Sequence, residues 1–304
     1  MAKRRFRAEA WTVTDRSGNP DQNAFHETIF FLGNGRLGLR GTPEEGAGDA
    51  PSQPVNYVAP IWDLVQAGCD PRVGHVTHCS VSVAAANWYG LVLHLGGVRF
   101  DPQRGTVSDY ARTLDLRTGL LIRRLTWTDD RGRRTALRFE RFVSMADRRL
   151  AALRVSIQPL NWSGRARLVA DIDGAAAVRQ RVTARGAIAP DGAYLATRTR
   201  ETEFETVTAI RTLAMHDDET VRLRPKLTRT ANRVARELRF DLQAKETVRV
   251  EKLVAVCTSR DPEPEAPKAR AVAAAAQARA QGFDALYADH AAAWEAIWAT
   301  GDVE

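Results

Sequence analysis

Short apolar runs separated by turns fill the first 260 residues of this 304-residue chain. In one such run Leu153, Val155 and Ile157 alternate with arginine and serine, the period of two expected of a half-buried strand. Glycine, asparagine and aspartate recur at short spacing between the runs, and helix signals are confined to the end of the chain. This pattern predicts a mainly β fold: a large antiparallel two-sheet β-sandwich, or supersandwich, followed by C-terminal helices.

The composition changes sharply near the end of the chain. A proline-containing linker, DPEP, is followed by an alanine-rich stretch of high helix propensity, which Gly282 is expected to break. Aromatic residues at helical spacing then form a stripe along one face of a last helix. We therefore predict a sandwich domain at residues 1–260 and linker helices at residues 261–304. The stripe is expected to dock on the sandwich and to bury Trp294 and Trp298.

Residues 27–46, ETIFFLGNGRLGLRGTPEEG, are unusually rich in glycine. Gly33-Asn34-Gly35 predicts a tight hairpin turn, because asparagine and glycine tolerate positive φ, with a strand in the apolar run at residues 29–32. The density of glycine predicts that other atoms approach this ribbon closely. A phosphate loop would need a following Gly-Lys-Ser/Thr, which is missing, so nucleotide binding is not predicted.

Several motifs of the chain resemble glycoside hydrolase family 65, which contains the maltose, kojibiose and trehalose phosphorylases. Residues 27–46 carry the ETIF, GNG, GxRG and EEG elements, and residues 110–121, YARTLDLRTGLL, are similar to the family's R-x-L-D element. An SRD sequence at residues 259–261 and an AWxxxW helix near the end are similar as well. The signature residues expected to have structural roles are Glu27, Gly33, Asn34, Gly35, Gly38, Arg40 and Gly41.

This resemblance covers most of the chain and implies a larger enzyme. Full enzymes of the family consist of a β-sandwich, a helical linker, an (α/α)6 barrel and a small C-terminal β domain. The catalytic glutamic acid and the phosphate-binding residues belong to the barrel, so the resemblance assigns no catalytic residue to these 304 residues. It implies a non-catalytic N-terminal domain that braces the barrel, lends a loop to the substrate pocket or forms a dimer interface.

The same resemblance implies the partners of the domain. They are the catalytic barrel of the same polypeptide, a second copy of the chain, and the α-linked glucose disaccharide on which the full enzyme acts. No cofactor is implied, since inorganic phosphate would be a substrate of a phosphorylase. Whether phosphate or water attacks, and which disaccharide is used, stay open.

An independent carbohydrate-binding module is the alternative function. Aromatic faces stack on sugar rings, and Trp62 and Trp88 lie near predicted loops where they could make such contacts. Packing in the core or at an interface is the more common use of tryptophan.

Three carboxylates could suggest glycosidase chemistry, which needs two carboxyl groups flanking a bond. Glu27 and the two consecutive residues Glu44 and Glu45 form such a set. Because the last two lie in a glycine-rich loop, we expect surface carboxylates instead. Glu27 is expected to anchor Arg36 or Arg40 across the hairpin.

Charge does not indicate a nucleic-acid partner, although the net charge is +7. Residues 104–154 hold 13 arginines against six acidic residues, and these arginines alternate with apolar residues as on a solvated strand face. The chain has no recognition motif and no lysine-rich arm, so nucleic-acid binding is not predicted.

Metal and membrane sites are not predicted either. His75 and His78 would point to opposite faces of a strand, and the three cysteines, Cys69, Cys79 and Cys257, are scattered without CxxC spacing. No apolar run approaches the ~18 residues of a membrane span. We expect a protein of the reducing cytoplasm.

Overall fold

The computed structural model describes residues 6–9, 11–66, 78–216, 219–221 and 223–301. Within these ranges the chain is mainly β with antiparallel pairing, which confirms the fold class predicted from the sequence. The strands of the first third are short. They are β1 (Phe6–Glu9), β2 (Thr12–Asp15), β3 (Leu32–Gly33), β4 (Leu37–Leu39), β5 (Asn56–Val58), β6 (Trp62–Gln66), β7 (His78–Ser82), β8 (Leu91–Leu95) and β9 (Val98–Arg99).

The remaining strands are mostly longer, and two α-helices flank them in sequence. The strands are β10 (Thr106–Asp115), β11 (Leu120–Thr128), β12 (Arg134–Val143), β13 (Leu150–Pro159), β14 (Gly164–Asp173), β15 (Gln180–Ile188), β16 (Gly192–Thr199), β17 (Glu205–His216), β18 (Glu219–Val221), β19 (Lys226–Arg229), β20 (Arg233–Leu242) and β21 (Val248–Thr258), and the helices are α1 (Asn23–Ile29) and α2 (Pro267–Gly301).

Two sheets form the sandwich. The larger has eleven strands in the order β1-β2-β10-β11-β12-β13-β21-β17-β16-β15, with β18 beside β17. The smaller has five strands in the order β19-β20-β14-β8-β9, and its apolar side chains share one core with the inner face of the large sheet. Strands β3-β4-β5 and strands β6-β7 form two further small sheets, and β3 and β4 of the first lie within residues 27–46.

The large sheet is buried on both faces near its centre. On β13, Val155 and Ile157 point into the core between the sheets, whereas Leu150 and Ala152 point to the opposite face. Because successive side chains of a strand alternate between faces, two apolar covers are needed. The second cover is α2, whose alanine-rich part packs on the outer face.

Helix α2 confirms the predicted break at Gly282 and docks on the sandwich as predicted, but the prediction that this docking buries Trp294 and Trp298 is wrong. Gly282 has φ of 78° inside the helix, and the backbone N–H of Phe283 donates to the carboxylate of Glu251 on β21 at 2.9 Å. Phe283 is buried on the sheet, while Trp294 and Trp298 are only half-buried. Their rings stack on each other with centroids 5.7 Å apart. Because both rings are only half-buried, this end of the stripe remains partly accessible.

Three local predictions are wrong. The sequence predicts one strand over residues 6–13 that is ended by turn residues 15–20, but the structure has a hairpin of β1 and β2 there, and Asp15 is the last residue of β2. The apolar run before Gly33 mostly ends helix α1, and only Leu32 and Gly33 pair as a strand. The sequence predicts strands at residues 164–172 and 193–199 and none between them, whereas the structure has β15 there, at the edge of the large sheet with mostly half-exposed side chains that give no clear alternation.

Among the helices of the described ranges, none has both the length and the apolar character needed to cross a membrane.

Candidate functional site

Asn34 fixes the hairpin of residues 27–46 to the large sheet. Its side-chain amide donates to the carbonyl of Ser144 at 2.7 Å, and its oxygen accepts from the backbone N–H of Leu37 at 2.7 Å. The loop residues are Gly35 and Arg36, one position later than the predicted Asn-Gly pair, and Gly35 has φ of 81°. The hairpin is therefore confirmed with a shifted turn, because the Asn34 side chain is used to anchor the loop.

Close approach to the glycine ribbon is also confirmed. A Cβ atom on Gly38 would lie 2.9 Å from the ring of Phe31. On Gly41 it would lie 2.8 Å from Cβ of Phe30 and 2.9 Å from a guanidinium nitrogen of Arg112. At Gly41 the contacts include Cβ and the backbone of Phe30, which cannot easily move, so this position excludes a larger residue, whereas the exposed ring of Phe31 beside Gly38 can shift.

Glu27 is fully buried in α1 and joins the helix to the following loop. Its carboxylate accepts from Asn23 at 2.9 Å, from the hydroxyl of Ser52 and from the backbone N–H of Gln53 at 2.8 Å. Arg40 lies 3.8 Å away and donates to the carbonyl of Ala24, as expected of an anchor across this segment. A carboxylate with three donors in a closed environment is structural and is not free for acid/base chemistry.

Arg36 instead connects the hairpin to the start of the linker. Its guanidinium pairs with Asp261 at 2.6 Å, and the other carboxylate oxygen of Asp261 pairs with Arg270 of α2 at 2.9 Å. We call these contacts the linker ion pairs. These contacts fix the segment between β21 and α2 in one position. Burial alone would raise the pKa of Asp261, but hydrogen bonds from the backbone N–H and hydroxyl of Thr258, followed by the contact with Arg36, hold that pKa below its usual value.

The prediction that Glu44 and Glu45 are surface carboxylates is wrong. The buried carboxylate of Glu44 binds Arg123 at 2.7 Å and Arg141 at 3.1 Å. Glu45 binds the other side of Arg123, also at 2.7 Å. These residues and Arg112, which lies beside Arg123 in the sheet, form a group that we call the arginine cluster.

The electrostatics of the cluster follow from its burial. Burial alone would raise the pKa of Glu44, but the positive charges of Arg141 and Arg123 outweigh it and hold that pKa below its usual value. Arg112 differs from the other two arginines, because it has no carboxylate within 4.0 Å among the described residues and lies over the ring of Phe30 at 4.7 Å. Burial lowers the pKa of Arg112 to about 10.

The sequence does contain a signal for the arginine cluster, although the alternation of arginine with apolar residues predicts a solvated strand face. Arg123 lies between Leu121 and Leu125, and Arg141 follows Leu137 and Phe139 at the same spacing of two. These arginines occupy the apolar phase of their strands, which places them on the inner face of the sheet. The loop with Glu44 and Glu45 covers this end of the inner face and supplies the opposite charges.

The two candidate sugar-contact tryptophans lie in different environments. Trp88 is 2% exposed and packs in the core between the sheets, so its ring cannot reach a sugar in this structure. Trp62 on β6 is half-buried and packs edge-to-face against Phe204, with the two ring centroids 5.2 Å apart. Stacking of Trp62 on a sugar stays a prediction.

Within the described ranges, no group of three or more histidine, cysteine, aspartate or glutamate side chains converges in a way that could hold a metal ion. His75 lies outside the described residues, and His78 is exposed on β7.

Comparisons with known proteins agree with the motifs. The family model described as "Glycosyl hydrolase family 65, N-terminal domain" matches residues 13–297. The kojibiose phosphorylase of Caldanaerobacter subterraneus subsp. tengcongensis is 27% identical over 96% of this chain and 38% of its own length. The maltose phosphorylase of Bacillus subtilis is 27% identical over 99% of this chain and 40% of its own length.

The fold is shared with a solved structure. A protein assigned as a kojibiose phosphorylase from the human microbiome superposes with a TM-score of 0.86, covering 97% of this chain and 39% of that chain, at 17% identity. The chain thus spans about two fifths of the length of these relatives. It belongs to glycosyl hydrolase family 65, and it corresponds to the N-terminal domain of that family.

Proposed function

We propose that this domain is the non-catalytic support of a disaccharide phosphorylase or hydrolase acting on α-linked glucose disaccharides. It positions a catalytic barrel that follows it in the same polypeptide. The relatives with a stated activity that match this chain along nearly its whole length are kojibiose and maltose phosphorylases, and each is more than twice as long as the match. The reaction itself, phosphorolysis or hydrolysis, is assigned to that barrel.

The linker ion pairs carry this proposal. Arg36 of the hairpin and Arg270 of α2 both bind Asp261, so the most distinctive loop of the domain determines where the helix after the sandwich begins. Farther along α2, the backbone N–H of Met145 donates to His290 at 2.9 Å, and the indole N–H of Trp298 donates to the carbonyl of Arg117 at 2.9 Å. A helix fixed at both ends transmits the orientation of the sandwich to whatever follows it.

The direct test is an activity measurement on the pure chain. We expect no release of glucose or glucose 1-phosphate from maltose, kojibiose or trehalose, with or without phosphate. In the complete enzyme that carries this domain, Arg36→Met should lower kcat and the melting temperature, while Arg124→Met on an exposed strand position should change neither. Activity of the chain alone, abolished by changing one of its carboxylates, would refute the proposal.

The carbohydrate-binding module is the second candidate because Trp62, the first residue of β6 in the two-stranded sheet, is only half-buried. Isothermal titration of the chain with the same three disaccharides separates the two functions. A module binds sugar in isolation and loses binding in Trp62→Ala, whereas a supporting domain shows no heat of binding.

We further propose a cytoplasmic location and association of two copies. The described cysteines, Cys79 and Cys257, are free thiols, as suits a reducing compartment. Sedimentation of the complete enzyme at several concentrations measures the association.

A further inference from the structure

An open cavity of about 460 Å³ lies next to the arginine cluster. Arg112, Arg123 and Tyr110 line it from the large sheet, and the loops around Gly48 and Gln103 line it from the other side. Small-molecule sites are typically clefts of roughly 300–1,000 Å³, so this cavity is large enough for a compact organic ligand.

Arg112 is the unusual group in this cavity. It is 2% exposed, and its Nε atom has no hydrogen-bond partner within the described residues. The guanidinium contacts the face of Phe30 instead of a carboxylate. A buried guanidinium with no carboxylate in contact is costly, because it has lost its hydration and gains only the attraction of Glu44 beyond ion-pair distance.

No carboxylate of the described residues pairs with Arg112. Asp15, its direct neighbour across the strands, accepts through Oδ1 from the backbone N–H and the hydroxyl of Ser17 at 2.8 Å and 2.7 Å, while its Oδ2 faces His26 at 3.6 Å and makes no hydrogen bond with Arg112. Glu44 and Glu45 bind Arg123 on its other side. Arg112 therefore keeps its guanidinium available to a ligand in the cavity.

The rim of the cavity carries acidic side chains, in contrast to the basic Arg112. Asp21 and Asp49 are exposed carboxylates, and Asp101 lies beside them, 3.7 Å from the exposed Arg104. Carboxylates accept hydrogen bonds from hydroxyl groups, and they repel a ligand that carries negative charge over its whole surface. A ligand that fits both parts has one anionic group at the floor and hydroxyl groups at the rim.

We propose that this cavity binds a small hydroxylated anion, with its carboxylate or phosphate group on the guanidinium of Arg112 and its hydroxyl groups toward the rim. The planar fork of arginine matches the two oxygens of such groups and forms charge-assisted hydrogen bonds. This site goes beyond the supporting role proposed above, and neither proposal depends on the other.

Calorimetric titration of the pure chain tests the site with four probes. Gluconate carries a carboxylate on a polyol, glucose 6-phosphate carries a phosphate on a sugar, inorganic phosphate has no polyol, and glucose has no charge. We expect one-to-one binding of gluconate or glucose 6-phosphate, and the stronger of the two identifies the anionic group. That probe should bind at least about tenfold more tightly than glucose and than inorganic phosphate, since a charge-assisted contact and the rim both contribute.

Variants locate the site. Arg112→Gln should weaken binding of the preferred probe at least about tenfold, whereas Arg124→Gln, at an exposed position of the next strand, should leave it unchanged. If Arg112→Gln does not fold, Ala50→Trp decides, because Ala50 lines the cavity and a large ring there closes it while Arg112 stays in place. No binding of either hydroxylated anion, glucose binding as tight as theirs, or binding that persists in Arg112→Gln or Ala50→Trp overturns the proposal.

Discussion

Glu44→Gln removes the carboxylate that two buried guanidinium groups share. Arg123 and Arg141 are both at most 4% exposed and bind its two oxygens at 2.7 Å and 3.1 Å. The substitution keeps the size of the side chain, so its effect is electrostatic. Arg123 retains Glu45, whereas Arg141 retains no carboxylate among the described residues and keeps the carbonyl of Thr42 at 2.8 Å and the ring face of Tyr89.

Breaking a buried ion pair by removing one partner costs about 3–5 kcal/mol, because the remaining charge is desolvated and unpaired. The amide oxygen of glutamine still accepts one hydrogen bond, so we expect a loss near the lower end, about 3 kcal/mol in the free energy of unfolding. Domains are stable by only about 5–15 kcal/mol, so the loss is easily measured by equilibrium unfolding in urea. Glu295→Gln on the exposed side of α2 is the matched control.

The pH dependence gives an independent check of the same reasoning. The folded pKa of Glu44 lies below its usual value of 4.5, because its arginine neighbours outweigh the effect of burial. A depressed folded pKa stabilises the protein above the unfolded pKa, and this stabilisation is lost as pH falls through the folded value. The difference between the wild type and Glu44→Gln should therefore be full at pH 7 and shrink below pH 4.5. A difference under about 1 kcal/mol at pH 7, or one that does not change with pH, would refute the ion-pair account.

Three further outcomes follow from local geometry. Gly41→Ala should lower the free energy of unfolding by about 1–3 kcal/mol, because the new Cβ would lie 2.8 Å from Cβ of Phe30. Gly301→Ala is the control, because its new Cβ has no atom within 4 Å, and urea unfolding of both variants measures the difference. Gly35→Val should lower the melting temperature by an amount equivalent to about 1–2 kcal/mol, because φ is 81°, and an unchanged melting curve counts against the hairpin. Burial lowers the pKa of Lys252 to about 8. Between pH 8 and pH 10 the unfolded chain therefore binds more protons at this residue than the folded chain, and the free energy of unfolding rises with pH by roughly 2 kcal/mol. Lys252→Met should abolish this rise when unfolding is measured at both pH values.

Periodicity predicted the framework of this fold because each strand carries its own signal. The alternation on β13 and the alanine-rich start of α2 are local patterns, and both are found where they were expected. The glycines of the hairpin were also interpretable, since Gly35 has positive φ and Gly41 touches Phe30. Such features depend on neighbours close in sequence.

The arginine cluster could not be derived in the same way. Glu44 and Arg123 are 79 positions apart, and each alone is a residue normally exposed to water. Their burial is decided by a loop closing one end of the sandwich, which no local pattern encodes. Trp88 illustrates the reverse case: a tryptophan near predicted loops lies in the core, together with the apolar side chains of β8, the strand of the smaller sheet that follows it.

The position of β21 has a consequence for how the chain is made. This strand is the last of the sandwich in sequence, yet it lies between β13 and β17 in the middle of the large sheet. During synthesis, the edges of β13 and β17 that pair with β21 therefore remain unpaired until residue 258 has left the ribosome. Unpaired edges are aggregation-prone, and pairings between distant parts of a chain form slowly. A nascent chain that stalls before β21 is thus a natural client for chaperones that bind exposed strands.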